Sequence, residues 1–338
     1  MPRLRRSVPG RKGYARVRAG AGFSYRDADG QTVRDPVLRQ RFDALVIPPA
    51  WTDVWICEHE NGHIQATGVD DAGRRQYLYH PVWREQKDRL KFERALALAA
   101  SLPTARAFVT RALRDPEPSR ERTLAAAFRI IDLGSLRVGH ARYALAHGSR
   151  GLATLRCEHA RVDGDVVELR FPGKSRQPWN TSIRDADLAH VVGELLEGRP
   201  ANAPLLVWPR PSVDEGAPAD ASTLHPITPA DINAYIKERT GGEFTAKDFR
   251  TLRGTAIAAE SLARSSAGST VRERTKAVSE AMRACAEALG NTPAVARSSY
   301  VDPRVVDRFM QGETIQLSPG MTVESALRAM LGDPRQPE

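Results

Sequence analysis

The residue pattern predicts an α+β protein of two domains. A small β-rich domain is expected over residues 1–83, and a larger, mainly α-helical domain with a small antiparallel β-sheet over 84–338. Three observations lead there. In the first eighty residues the turn pairs Asp29-Gly30 and Asn61-Gly62, which favour positive φ, separate short alternating runs. From about Trp83 the apolar period becomes helical. A further hairpin signal, Asp163-Gly164, then interrupts the helical part. A length of 338 residues gives either two domains or one large one with an ample core.

The first twenty residues hold Arg3, Arg5, Arg6, Arg11, Lys12, Arg16 and Arg18 and no acid, which suits either an arm against a DNA backbone or a solvated tail. Strands at 22–26 and 31–34 flank Asp29-Gly30, and a helix follows over 36–45. Strands at 54–58 and 63–67 flank Asn61-Gly62, and a last strand covers 74–80. Alternation there puts Gln76, Leu78 and His80 on one face and Arg75, Tyr77 and Tyr79 on the other. The second face suits a nucleic-acid backbone, or equally an antiparallel strand with aromatic cross-strand pairs.

In the helical part Leu90, Ala95, Leu98 and Leu102 mark a helix that Pro103 is expected to stop. Ser119 caps the next helix, Gly134 closes it, and Arg137 stands where a new helix is expected to start. Strands at 155–162, 166–171 and 177–183 follow, with Lys174 at the tip of the turn Pro172-Gly-Lys-Ser175. Asp185 opens a helix that runs to Gly198, and 199–226, rich in Pro, Ala and Asp, reads as a long surface loop. Thr228, Thr245 and Thr270 each cap a further helix. In the second of these, Lys247 and Arg250 are three apart and are expected on one face. Gly290 ends the third; Thr292-Pro293 then starts a short helix with Asn291 in the turn before it and Tyr300 near its end. Asp302-Pro303 opens a helix through Phe309, and the residues beyond read as peripheral.

Charge narrows the function. The net value is +9 and the pI about 9.8, which favours a polyanionic partner. Cys57, Cys157 and Cys285 are far apart, which fits neither a disulfide framework nor a zinc site. There is no G-x-x-x-x-G-K-[ST] phosphate loop, so no nucleotide is expected. No apolar run approaches membrane-spanning length and the basic start has no apolar stretch behind it, so the expected compartment is the cytoplasm, with the nucleoid as the site of action.

Along the chain the chemistry-bearing residues are Arg137, Lys174, Lys247, Arg250, Asn291 and Tyr300. A tyrosine that attacks a phosphodiester starts from a phenol of pKa about 10 and needs help as its proton leaves. The displacement builds negative charge on the nonbridging oxygens, which two arginines can fork and an asparagine amide can support. A lysine can protonate the departing sugar oxygen. Such a set needs no metal and no cofactor.

The full pattern resembles the type IB DNA topoisomerases, in particular the small poxvirus-like form found in bacteria. The N-terminal motifs are Ile47-Pro-Pro-Ala-Trp-Thr-Asp-Val-Trp55, Gly62-His-Ile-Gln-Ala-Thr-Gly68 and Gly73-Arg-Arg-Gln-Tyr-Leu-Tyr-His80. Those of the second domain are Leu136-Arg-Val-Gly139, Gly173-Lys-Ser175, Lys247-Asp-Phe-Arg-Thr251 and Asn291-Thr-Pro followed by Ser299-Tyr300. The resemblance spans about 22–309 and implies a topoisomerase/tyrosine-recombinase-like catalytic fold. It implies Tyr300 as nucleophile forming a 3′-phosphotyrosyl link, Arg137 and Arg250 on the scissile phosphate, Lys174 as general acid and Lys247 assisting. It further implies DNA contacts at Gln76, Tyr77, Tyr79 and Tyr143, and a monomer that clamps duplex DNA through its N-terminal domain and relaxes supercoils of either sign without ATP. The departure is Asn291, where the family usually has histidine. Two other readings share part of the pattern. A tyrosine recombinase uses the same chemistry but usually carries His-x-x-Arg where this chain has Lys247-x-x-Arg250. A non-catalytic, architectural DNA-binding protein would account for the charge but not for the six matched positions.

Overall fold

A computed structural model describes residues 3–211, 222–265 and 270–332, and divides into two units, Met1–Leu90 and Lys91–Glu338. In the first unit, β1 (Gly13–Ala19), β2 (Gly22–Arg26), α1 (Pro36–Ala44), β3 (Thr52–Cys57), β4 (Ile64–Val69) and β5 (Arg75–Tyr79) follow in sequence. The five strands form one antiparallel sheet in the order β2-β1-β3-β4-β5. Tyr25, Phe42, Ile47, Val54, Ile56 and Ala66 fill its core.

This corrects the reading of the basic start. Residues 13–19 are neither arm nor tail but a strand inside the sheet, and β2 pairs with β1. The expected partner over 31–34 contributes only the bridge between Arg26 and Thr32. Arg16 shows why a basic run can be structural. Its guanidinium donates to the carbonyls of Ile47 and Pro48, both at 2.8 Å, and of Trp51 at 2.9 Å, tying down the Ile-Pro-Pro-Ala-Trp loop. It also lies 4.0 Å from the centre of the Phe23 ring. Further upstream the Ser7 hydroxyl accepts from the Ile64 backbone N–H and donates to its carbonyl. Gly62 has to be glycine there: a Cβ would come within 2.5 Å of Cys57 Sγ and 2.8 Å of Ser7 Oγ.

On β5 the expected alternation holds, with Leu78 packed against the core and Arg75, Tyr77 and Tyr79 exposed. The tyrosine rings stack on each other at 6.1 Å, while their partners across the ladder are Thr67 and Ile64. Aromatic cross-strand pairing therefore does not account for them.

The helical part of the chain begins with α2 (Pro81–Leu113), and Pro103 lies inside that helix instead of ending it. Leu98, Leu102, Ala105, Val109 and Leu113 stay buried on one stripe across the proline, which itself faces solvent. Burial of Leu102, Val109 and Leu113, about 1.5–3 kcal/mol each, outweighs the roughly 3 kcal/mol that an interior proline costs. Next come α3 (Arg120–Gly134), capped by Ser119, and α4 (Ala141–His147). Arg137 lies in the extended segment between them, not at a helix start.

The small antiparallel sheet is β6 (Ala160–Asp163), β7 (Val166–Pro172) and β8 (Pro178–Arg184), in that order. The first strand is shorter than expected, because 152–154 and 157–159 are single 3-10 turns. After α5 (Ala186–Leu196), the expected loop instead contains an antiparallel pair, β9 (Val207–Pro211) and β10 (Ser222–Pro226). Leu205, Leu206 and Val207 supply the buried face that pattern reading missed under the prolines. Residues 212–221 of that loop lie outside the described ones.

The chain closes with α6 (Pro229–Thr240), α7 (Ala246–Arg264), α8 (Val271–Leu289), α9 (Pro293–Ser299), α10 (Pro303–Met310) and α11 (Val323–Leu331). Two apolar clusters hold this domain. One gathers α2, α3, the small sheet, α5, α6 and the start of α7; the other gathers the rest of α7 with α8 to α11.

The residues beyond Phe309 are not peripheral. Ala326 and Leu327 of α11 are buried in the second cluster. Arg106 donates to both oxygens of Asp132, at 2.8 and 2.9 Å, and to Glu324 at 2.9 Å, joining α2, α3 and α11. Burial pushes the Glu324 carboxyl up, but its contacts with Arg106 outweigh this and hold it below the usual range. The stability it lends is therefore present above the unfolded carboxylate value and lost as pH falls through the lower folded one. Glu324→Gln is expected to cost about 2 kcal/mol at pH 7 and to flatten the acid side of the stability curve, as urea titrations from pH 7 to 3 would record.

Candidate active site

Four of the expected residues converge where the two clusters of the larger domain meet. Arg250 enters from α7 and is only 3% exposed. Its Nη1 donates to the Ser135 carbonyl at 2.5 Å and its Nη2 to the Leu289 carbonyl at 2.7 Å. One side chain thus pins the ends of α3 and α8 together. The guanidinium carbon lies 5.1 Å from the Tyr300 ring centre and 5.7 Å from that of Trp179. Its Nε is buried and has no hydrogen-bond partner.

Arg137 arrives on the extended segment after α3. Leu152 N–H donates to the Arg137 carbonyl at 2.9 Å and Ala153 N–H to that of Val138 at 2.7 Å. Two glycines let those backbones approach. A Cβ on Gly151 would sit 2.6 Å from the Arg137 carbonyl oxygen, and one on Gly139, at φ +79°, would sit 2.7 Å from Gly151 Cα. The Leu-Arg-Val-Gly motif is therefore a backbone clamp that aims one side chain.

Arg137 Nη2 donates to Asn291 Oδ1 at 3.1 Å, while Asn291 Nδ2 donates to the Leu289 carbonyl at 3.2 Å. Asn291 orients an arginine, and only its second amide hydrogen is left for an incoming oxygen. Its place is set by Gly290, whose φ of +57° ends α8 and whose missing side chain makes room for Trp179, 2.7 Å from where a Cβ would stand.

Tyr300 caps the C-terminal end of α9 and is half-buried. Burial pushes its phenol up, but the charges and hydrogen bonds of Arg250 and then Arg137 outweigh this and hold it below the usual tyrosine value. The arginines feel each other too: burial, then the charge of Arg137, lowers the pKa of Arg250. Two cations, one buried and one half-buried, flanking a phenol whose ionised form they favour can attract an anion and activate an oxygen nucleophile.

The lysines stand apart. Lys174 is exposed at the tip between β7 and β8, where Ser175 and Arg176 both adopt positive φ. Lys247 is exposed in the first turn of α7, whereas Arg250, three residues on along the same helix, is buried. Three residues subtend about 60° around a helix, enough to leave one at the rim and bury the other. Among the described residues neither lysine hydrogen-bonds to the other four. Gln76, Tyr77 and Tyr79 lie on β5 of the first unit, where Gln76 donates to Asp70 at 2.8 Å. Tyr143 lies on α4, with its side chain outside the described residues. Sequence reasoning missed Trp179 and Gly254. A Cβ on Gly254 would meet Tyr300 Cβ at 2.8 Å and its carbonyl oxygen at 2.9 Å. A glycine inside a helix, costing about 1 kcal/mol against alanine, was the available signal.

A family model for the catalytic core of eukaryotic DNA topoisomerase I matches residues 80–314, and one for the N-terminal domain of bacterial DNA topoisomerase IB matches residues 22–70. The chain is 30% identical over 295 residues to DNA topoisomerase 1B of Acanthamoeba polyphaga mimivirus, which covers 86% of this chain and 85% of that protein. It is 26% identical over 208 residues to DNA topoisomerase 1 of Mycosarcoma maydis, covering 60% of this chain and 19% of that protein. The chain belongs to the type IB DNA topoisomerases, isomerases whose substrate is DNA. No described helix is long and apolar enough to cross a membrane.

Proposed function

We propose that this chain relaxes positive and negative supercoils by transient single-strand cleavage through a 3′-phosphotyrosyl intermediate, as a monomer on duplex DNA and without ATP or metal. The observation that carries the reading is the convergence of Tyr300 with Arg250 and Arg137 in one half-buried site. Tyr300 Oη attacks the scissile phosphorus, and its proton leaves as the arginines favour the phenolate. The bond to the 5′ oxygen breaks, and Lys174, reaching in from its hairpin tip with Lys247 assisting, supplies the proton that makes a 5′-hydroxyl. Arg137 and Arg250 take the charge that builds on the nonbridging oxygens. The phosphotyrosyl diester keeps the energy of the broken bond, so resealing is the reverse reaction and needs no nucleotide. While the nick is open the downstream duplex turns. Tyr77 and Tyr79 on the exposed face of β5, Gln76 on its other face, and Tyr143 on α4 each contact the DNA.

The test is relaxation of supercoiled plasmid in EDTA without ATP, together with covalent trapping on a nicked duplex and mapping of the modified residue. Relaxation with the adduct on Tyr300 is expected. DNA binding with neither relaxation nor adduct would favour an architectural protein, and strand exchange between two defined duplexes would favour a recombinase. Affinity should fall steeply with salt because phosphate contacts dominate.

Asn291 makes a separate prediction. Asparagine does not titrate, so the cleavage rate should show no histidine limb near pH 6–7. Asn291→His should introduce one, with the imidazole below its usual value of about 6.5 because Arg137 stands beside it. Single-turnover cleavage of the two proteins from pH 5 to 9 would show the difference.

A further inference from the structure

Thr255 lies in the interior of α7, one turn beyond Arg250, and is 3% exposed. A threonine so placed ordinarily turns its hydroxyl back to the carbonyl four residues earlier. Thr251 of the same helix does so, donating to the Lys247 carbonyl at 3.4 Å. Thr255 does not. Its Oγ1 donates to the Tyr300 carbonyl at 3.0 Å and accepts from the Asp302 backbone N–H at 3.1 Å. One hydroxyl therefore spans the three residues that leave α9 and enter α10. The neighbouring Gly254 allows the close approach, since a Cβ there would collide with Tyr300. Asp302 is in turn 1% exposed, caps α10 and pairs with Arg304 at 2.7 Å, so the far side of the strap is also fixed.

We infer that Thr255 is a positioning residue for the cleavage reaction: its hydroxyl fixes the Tyr300–Asp302 strap to the helix that carries Arg250, and so sets the distance between the nucleophile and the phosphate-binding arginine. The inference rests on the reading of Tyr300 as nucleophile. Thr255 touches no reacting atom and acts only through the backbone on either side of Val301. Both partners are main-chain groups in a buried place, so no water replaces the hydroxyl, and losing it frees the strap without emptying the core. A misplacement of about 1 Å at a reacting atom costs on the order of 10²-fold in rate.

Thr255→Val keeps the shape and removes the hydroxyl, whereas Thr255→Ser keeps the hydroxyl. In single-turnover cleavage of a suicide duplex, the valine variant is expected to slow by roughly 10–100-fold with duplex affinity within about twofold of wild type. The serine variant is expected within about threefold of wild type. The pH dependence supplies a readout that mere loosening of the fold does not move: a Tyr300 drawn away from the arginines ionises at higher pH, so the valine variant's rate should rise later and recover part of its deficit in alkali. Should the valine chain fail to fold, Thr255→Ala against Thr255→Ser makes the same comparison. Cleavage by the valine variant within threefold of wild type overturns the inference, as does equal impairment of valine and serine or a deficit that does not change with pH. If wild-type protein itself forms no adduct on Tyr300, the proposed function fails and takes this inference with it. An intact wild-type adduct with a fully active valine variant sinks the inference alone.

Discussion

Tyr300→Phe is expected to bring plasmid relaxation and the covalent DNA adduct to background, a loss on the order of 10⁴–10⁶-fold, while duplex affinity stays within about twofold. The substitution removes one oxygen and leaves the ring where it packs, 5.1 Å from the Arg250 guanidinium. The cations proposed to meet the phosphate remain, so binding and chemistry should separate cleanly. No neighbouring hydroxyl can take over in register. Ser299 precedes Tyr300 at the end of α9, but it is the phenol whose ionisation the two arginines favour, against the opposing effect of burial. The wild-type rate gives the complementary check. Because Arg250 and Arg137 hold the phenol below its usual value of about 10, the rise of cleavage with pH should level off before that value. Quench-flow cleavage read on denaturing gels measures both. An adduct that survives the phenylalanine substitution would mean that another residue is the nucleophile.

Much of this site could be read in the chain before its geometry was known, and the reason is local. Glycines and caps punctuate the segments that deliver its residues: Gly290 ends α8, Thr292 and Pro293 start α9, and Asp302 and Pro303 start α10. Each signal acts within one turn of backbone, so the pattern alone places Asn291 and Tyr300. The misreadings share the opposite cause. Pro103 was read as a stop, but long-range burial of Leu102, Ala105 and Val109 overrides its local cost. Arg16 was read as part of an arm or a solvated tail, yet three carbonyls distant in sequence hold it. The spacing of Lys247 and Arg250 says that they share a face and nothing of their different burial, which the packing of α7 against α3 and α8 sets. The most telling omission is Gly254, whose role exists only because Tyr300, 46 positions further along the sequence, lies against it.

Arg250 should show the second large effect, and its variants should differ from those of Arg137 in kind. Arg250→Ala removes a cation from the transition state, costing at least about 10²–10³-fold in cleavage. It also removes the Arg250 donor from the Ser135 carbonyl and one of the two side-chain donors from the Leu289 carbonyl, which should lower stability by about 2–4 kcal/mol. Arg250→Lys keeps the charge but not the fork, and a single ammonium cannot reach both carbonyls and a phosphate. Its cleavage should fall nearly as far, with a smaller loss of stability. Arg137 ties down no second helix end, since its side chain bonds to the Asn291 amide and to the Tyr300 phenol, so Arg137→Ala should impair cleavage by a similar factor while leaving Tm nearly unchanged. The two cations also repel each other, as the lowered pKa of Arg250 records, and an anion placed between them relieves that repulsion. Inorganic phosphate should therefore raise the Tm of the wild-type protein at constant ionic strength, by linkage to the folded state, and do so much less for either alanine variant. A phosphate response that is identical in all three proteins would show that the anion binds elsewhere and that the arginine pair is not the phosphate seat.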